Sequence, residues 1–388
     1  MGMAKRKLAG TKKSGSRGQL ASVAKADEAF GFRRLPVLDL ASGDSLTIPV
    51  YDFEGSDPDA PSVYLQSAMH GPEVQGSLVL ALMVAHLKEN PPQGRVRIVP
   101  NANPAGLNAK VGEYTNGRFD TVTGDNFNRR YFLPTTNFAW DDFLREHAAS
   151  DEKAVVANFR TKMRRALESQ KTKGGTIADR IAITLQLLSI DFDHCLDLHC
   201  ANVSVRHLYA PEHTRADSAY LQIPHVLLIP NDSFTGAKDE VFFHPWQELA
   251  RRRGNPAAIA VQSFTLELGD QETVDRRGAE KDLAGILSYL AHRGVLAGKP
   301  KKIHPVFCAL ENYATIHSPR GGLVEWRAVP GEKVRKGQVV ATILQFHEDP
   351  IFHEVKSPCH GIVNLRHSSA IVHEGAELMK IVGTPSGA

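Results

Sequence analysis

Between residues 61 and 104 the chain alternates in a way that only a sheet with crossovers accommodates. The apolar stretch 61-PSVYLQSAM-69 reads as a buried strand. From about Val74 to Lys88, residues Leu78, Leu82, Val84 and Leu87 then fall roughly at helical spacing. Asn90-Pro91-Pro92 stops that helix, and 95-RVRIVPNANP-104 is a short strand running into a turn. Strand, helix and strand with short links mark an α/β sheet. The stretch 45-SLTIPVYDFEG-55 adds a strand before this unit; 194-HCLDLHC-200, 204-SVRHLYA-210, 225-HVLLIP-230 and 261-VQSFTLELG-269 add strands after it. A helix from about Glu280 to His292 closes the section. The Ala-, Lys-, Arg- and Glu-rich stretch at about 138–190 reads as a helical insertion or lid beside the sheet.

The chain has 388 residues, enough for two domains and a sizeable core. Its net charge of +3 is unevenly spread: Met1 to Lys25 holds seven Lys/Arg and no acid. Residues 1–28 therefore read as a solvated, disordered basic tail, with nucleic-acid or anionic-surface contact the lesser reading. The tail lacks the apolar core of a secretory signal, and no run is long enough to cross a bilayer. Cys195, Cys200, Cys308 and Cys359 are too few and scattered for a disulfide framework, which points to a cytoplasmic protein with reduced thiols. After 299-KPKKI-303 the composition shifts to short strands and glycine turns, as in V-P-G-E-K-V-R-K-G and its echo I-V-H-E-G-A-E-L. A boundary near 300 separates a domain at 29–300 from an all-β module at 301–388.

The candidate chemistry begins with 67-SAMHGPEVQG-76, where His70 and Glu73 flank a Gly-Pro pair at the carboxyl end of a sheet strand. Ligands in open α/β sheets gather there. Alone, His-x-x-Glu fits a polar turn as well as half a zinc site, which needs three ligands and an open position. In 195-CLDLHCAN-202, Asp197 and His199 lie two apart on a strand, hence on one face, where the acid can orient the imidazole. Glu267 interrupts an apolar strand, a costly position unless paired or functional, and one suited to a general base. In 126-NFNRRYF-132, the pair Asn128-Arg129 can hold a carboxylate, the arginine by a bidentate fork. His194, His207, His225 and His244 read as core or surface histidines.

These motifs, with Asn103-Pro104 between them, occur in an order that resembles the aspartoacylase/succinylglutamate desuccinylase family, relatives of the zinc carboxypeptidases. The resemblance spans roughly residues 45 to 295. It implies a zinc-carboxypeptidase-like mixed sheet flanked by helices, followed by the small all-β module. It also implies one zinc ion per chain, with His70, Glu73 and His199 matching the ligands and Glu267 the general base. Arg129 matches the arginine that binds substrate carboxylate, and Arg118 one that polarises the scissile carbonyl. Asn126 stands where the family pattern usually has Asp. The implied reaction is hydrolysis of an N-acyl amino acid or related small amide by metal-activated water. A carboxypeptidase-like peptidase is the alternative within this chemistry, and a non-catalytic metal-binding or scaffold protein the alternative outside it. The expected partner is a small N-acyl substrate, with no membrane, with nucleic acid only as the lesser reading of the tail, and with a homo-oligomer compatible.

The carboxy-terminal module resembles the biotinyl/lipoyl barrel-sandwich domains through Pro330-Gly331-Glu332, Gly337-Gln338, Ser357-Pro358 and Gly361-Ile362-Val363. The hairpin 344-LQFHEDPIFHE-354 has no lysine to carry a cofactor, and Lys356 falls on the following strand. A cap, an oligomer contact or a wall beside the site is the expected role. Its histidines His347, His353, His360, His367 and His373 read as surface residues.

Overall fold

Nine strands share one mixed sheet: β1 (Phe30–Asp39), β2 (Ser45–Phe53), β3 (Val63–Ser67), β4 (Val96–Val99), β5 (His194–Ala201), β6 (His207–Pro211), β7 (His225–Ile229), β8 (Gln262–Asp270) and β9 (Val306–Ala309). Their spatial order is β1-β2-β4-β3-β5-β8-β6-β7-β9. The structure is a computed structural model describing residues 30–383; the basic tail expected at 1–28 lies outside the described residues. At the centre, β4, β3, β5 and β8 run parallel, and β6 is antiparallel to β8. Almost every residue of β3 and β5 is buried, as expected where helices cover both faces.

The two faces take different helices. Helix α1 (Gln75–Glu89), the crossover from β3 to β4, packs with α6 (Arg276–His292) on an apolar face made by Leu65, Leu196, Leu198, Phe264 and Leu266. Between these helices in the chain come α2 (Trp140–Glu146), α3 (Glu152–Thr172), α4 (Ile177–Ser189) and α5 (Lys238–Arg252). They cover the other face, with Phe159, Leu185, Val241 and Trp246 against Tyr64 and Cys195.

Among the elements of the large sheet and its covering helices, β1, α5 and β9 were not expected from the sequence; β9 pairs with β7 although it lies past the boundary expected near 300. β1 buries only Val37 fully, so its sequence FGFRRLPVLD lacks an apolar alternation; it is held as an edge by antiparallel pairing to β2. α5 contains Pro245, a residue that ordinarily ends a helix, and it is kept by burial of Phe242, Phe243, Trp246 and Leu249 against the sheet.

After β9 joins the large sheet beside β7, the remaining chain forms two antiparallel sheets. One contains Tyr313–His317, Glu377–Gly383, Gly361–Arg366 and Lys333–Val334; the other contains Ile351–Lys356, Val339–Gln345, Gly322–Trp326 and Ile371–Val372. Val324, Val340, Ile343, Val363 and Ile381 fill the space between them. Gly331, Gly337 and Gly375 have φ of 91°, 84° and 82°, the left-handed turn conformations that favour glycine. The module is tied to the rest by backbone pairing of Val203–Ser204 with Gly361–Arg366. No described helix is long and apolar enough to cross a membrane.

Candidate metal centre and catalytic cavity

Strand register assembles the site. Asp197 lies beside Gln66 on β3 and Thr265 on β8, and Tyr209 on β6 faces Thr265. One step toward the carboxyl ends, His199 lies beside Glu267, which faces His207. Side chains at paired positions project from the same face, so these two rows form one polar patch on an otherwise packed sheet.

The loop after β3 brings in the remaining groups. Ala68 adopts φ 57°, an uncommon conformation for a residue with a Cβ, just before His70. The Glu73 N–H donates to the His70 carbonyl at 3.1 Å, and α1 begins only at Gln75. The Gly71 N–H donates to the Gly117 carbonyl at 2.9 Å. A Cβ on Gly71 would lie 2.1 Å from the Gly106 carbonyl oxygen, and one on Gly117 only 1.9 Å from it. Glycine is required at both positions by space, and this close contact delivers Arg118, the next residue, to His70 and Glu73.

His70 Nδ1 is 2.9 Å from Glu73 Oε1, and His199 Nδ1 is 2.7 Å from Glu73 Oε2. All three side chains are buried, and one donor atom from each lies within 4.8 Å of the others. Among the described residues this is the one such group of three metal-ligand side chains. The far nitrogens face oxygen: His70 Nε2 is 2.9 Å from Asn126 Oδ1, and His199 Nε2 is 2.9 Å from Asp197 Oδ2. With protons on Nε2, both Nδ1 lone pairs converge beside the Glu73 carboxylate, the donor set and supporting oxygens that suit a zinc ion. Burial works to lower the His199 pKa, but Asp197 and Glu73 hold it well above its ordinary value. The spot attracts positive charge, whether proton or metal. Burial also opposes ionisation of Glu73, yet the two imidazoles hold it well below the usual carboxylate range.

Asp197 is itself supported. Gln66 Nε2 donates to its Oδ1 at 2.9 Å, and the Tyr64 hydroxyl donates to Gln66 Oε1 at 2.9 Å. Behind this chain lies Lys238, wholly buried, donating to Ser189 Oγ at 2.6 Å and lying 5.2 Å from the centre of the Tyr64 ring. Burial lowers the Lys238 pKa, while Cys195 and Asp197 favour its charge.

His70, Glu73 and His199 open onto a cavity of about 400 Å³ that Arg118, Asn128, Arg129 and Glu267 also line. The residues picked from sequence thus meet in one place. Arg118 Nη1 lies 2.8 Å from Glu73 Oε1. Asn128 Oδ1 accepts the Lys238 backbone N–H at 3.3 Å, tying Arg129 to the start of α5. Glu267 Oε2 is buried with no hydrogen-bond partner. Burial, reinforced by Glu73, raises the Glu267 pKa to about 7 against the pull of His199 and Arg118. A larger hollow of about 510 Å³ near Val37, Phe132 and Ile183 contains none of these groups.

Several lining residues were not picked from sequence: Tyr209, Asp239, Thr265 and Lys380. Thr265 was readable, since it lies two before Glu267 on the same strand and therefore on the same face. Asp239 lies on the unexpected α5, and Lys380 comes from the carboxy-terminal module. Asn126, noted only as a departure from a family pattern, contacts His70. His194 is buried against the Tyr289 hydroxyl at 3.0 Å, and His207 Nδ1 is 3.0 Å from the Val205 carbonyl oxygen.

Comparison with known proteins gives a consistent picture. Residues 59–293 match the model of the succinylglutamate desuccinylase/aspartoacylase catalytic domain. A comparison with curated protein sequences gives no match. A solved structure bearing the same family description, from Shewanella frigidimarina NCIMB 400, is 36% identical with a TM-score of 0.86, over 92% of this chain and 98% of that one. A family protein from Shewanella amazonensis SB2B is 37% identical with a TM-score of 0.84, over 91% and 98%. The succinylglutamate desuccinylase/aspartoacylase of Rhodobacter sphaeroides, at 21% identity and a TM-score of 0.65 over 92% and 95%, shares the fold. By sequence along the catalytic domain and by fold along nearly its whole length, this chain belongs to the succinylglutamate desuccinylase/aspartoacylase family of hydrolases.

Proposed function

We propose that this protein is a zinc-dependent deacylase that hydrolyses the amide bond of a small N-acyl amino acid. The observation that carries the reading is the meeting, in one cavity, of a buried His-Glu-His donor set and Glu267, whose Oε2 is buried without a hydrogen-bond partner. Zinc held by His70, Glu73 and His199 would act as a Lewis acid and make a water acidic near neutral pH.

The chain's own residues supply the remaining roles. Glu267, with a pKa raised to about 7, accepts the proton of the attacking water and later delivers it to the departing amine nitrogen. Arg118 is placed beside Glu73 to stabilise negative charge on the carbonyl oxygen during attack. Arg129 takes the substrate carboxylate through its guanidinium fork, with Asn128 fixing its backbone to α5.

The cavity favours a small substrate over a peptide. Its volume is about 400 Å³, and Leu310 and Lys380 help to wall it. A non-catalytic metal carrier has no use for Glu267 at this place. The deciding experiment combines metal analysis with a screen of N-acetyl, N-succinyl and N-formyl amino acids and short peptides. Near-stoichiometric zinc and turnover of an N-acyl amino acid are expected. Absence of zinc binding, or turnover of peptides alone, would overturn the proposal.

A further inference from the structure

The charged groups lining the cavity are largely spoken for. Glu73 faces both imidazoles and Arg118, and Glu267 is placed as the base. Lys380 pairs with Glu377 at 3.2 Å. Glu240 accepts backbone N–H groups from Thr235, Gly236 and Ala237 at 2.6, 2.8 and 3.1 Å, closing the start of α5. Two opposite charges remain. Among the described residues, the Arg129 guanidinium donates only to the neighbouring Asn128 carbonyl, at 2.8 Å. Asp239 is 4% exposed, and its carboxylate has the Thr265 hydroxyl as its side-chain hydrogen-bond partner. Among the described residues, neither Arg129 nor Asp239 has an ion-pair partner within 4.0 Å.

A buried carboxylate with one hydroxyl partner is costly unless a cation completes it. Its surroundings favour a cation. Burial, then the nearby Glu240 and Asp197, raise the Asp239 pKa to about 6. At pH 8 the group is therefore predominantly ionised. An ammonium there would be attracted by Asp239 and by both neighbouring acids.

Resting on the proposed deacylase reading, we infer that Asp239 is a specificity-determining residue that receives an ammonium group of the substrate. The preferred substrates are then N-acyl amino acids carrying a free amino group as well as the carboxylate taken by Arg129. That amino group is either the α-amino group of a side-chain-acylated diamino acid or the side-chain amine of an α-acylated one. The competing role for Asp239 is stabilisation of the α5 amino terminus, where it occupies the first turn. That role affects folding and all substrates alike.

The test uses the full-length zinc-loaded protein at pH 8 with Nα-acetyl-L-lysine, Nε-acetyl-L-lysine, Nα-acetyl-L-norleucine and N-acetyl-L-glutamate. One of the two acetyl-lysines should exceed acetyl-norleucine in kcat/KM by about tenfold or more, the size of a hydrogen bond between charged groups. Which one leads identifies the source of the ammonium. In Asp239→Asn the lysine-to-norleucine ratio should fall to near unity. A wild-type ratio near unity, a preference for acetyl-glutamate, or a ratio unchanged in Asp239→Asn each overturns the inference. The wild-type comparison stands even where the variant does not fold. Absence of turnover with all four compounds counts against the deacylase reading itself. Calorimetric titration with L-lysine and L-norleucine then decides the inference separately: tighter lysine binding, lost in Asp239→Asn, supports it, and equal binding overturns it.

Discussion

The two faces of the central sheet are made by the same strands and do opposite things. On the face toward α1 and α6, Leu65, Leu196, Leu198, Phe264 and Leu266 join one apolar cluster. On the other, the residues between them are Gln66, Asp197, His199, Thr265 and Glu267. That second face is divided along its length. Its early positions, Tyr64 and Cys195, are still core, while the carboxyl-terminal positions are charged and open to the cavity. A strand alternation of two lets one segment contribute to stability and chemistry at once. The cost of burying charge falls at the strand ends, where a loop or a ligand can answer it.

The comparison breaks most sharply at Glu267. Glu267→Gln should lower kcat by about 10²–10⁴-fold, the usual contribution of a general base, while metal content by elemental analysis stays at the wild-type level. Retained turnover would move the base elsewhere. On the apolar face, Leu196→Ala should remove about 2–5 kcal/mol of stability in chemical denaturation, as expected for a cavity in a packed core. A comparable loss in Glu267→Gln would blur the division between faces. Arg129→Ala should reduce kcat/KM by roughly 10–100-fold, the range of a hydrogen bond to a charged group, mainly through KM. A loss confined to kcat would take the arginine out of substrate binding. The smallest change is expected from Tyr64→Phe, which removes the donor to Gln66 at the border between core and site. It should cost about 1 kcal/mol of stability. Calorimetric zinc titration would show whether the Gln66–Asp197 support transmits that loss to His199.

The carboxy-terminal module contrasts with both faces. Its strands make a separate core, yet they reach the cavity through Lys380 and are pinned by the Val203–Ser204 pairing. Lys356, on the strand after the lysine-free hairpin, forms an exposed pair with Glu354 at 3.1 Å. The module stands as a wall beside the cavity.

Much of the site could be read from the chain because its constraints are local. His70 and Glu73 are joined by one turn, Asp197 and His199 by one strand period, and Glu267 by its isolation in an apolar run. Such spacings dictate which side chains share a face before any long-range packing is known. The central strands were legible for the same reason. β1 was not, since an edge strand with one fully buried residue carries little apolar periodicity, and neither was α5, whose proline is tolerated only because the sheet packs against it. Asn126 against His70, the glycine contact that delivers Arg118, Asp239 beneath Thr265 and Lys380 at the wall depend on segments distant in sequence. The sequence by itself determined which residues could carry the chemistry. Tertiary structure alone decided which charges line the cavity, because that depends on chain segments meeting across the fold and not on any periodicity within them.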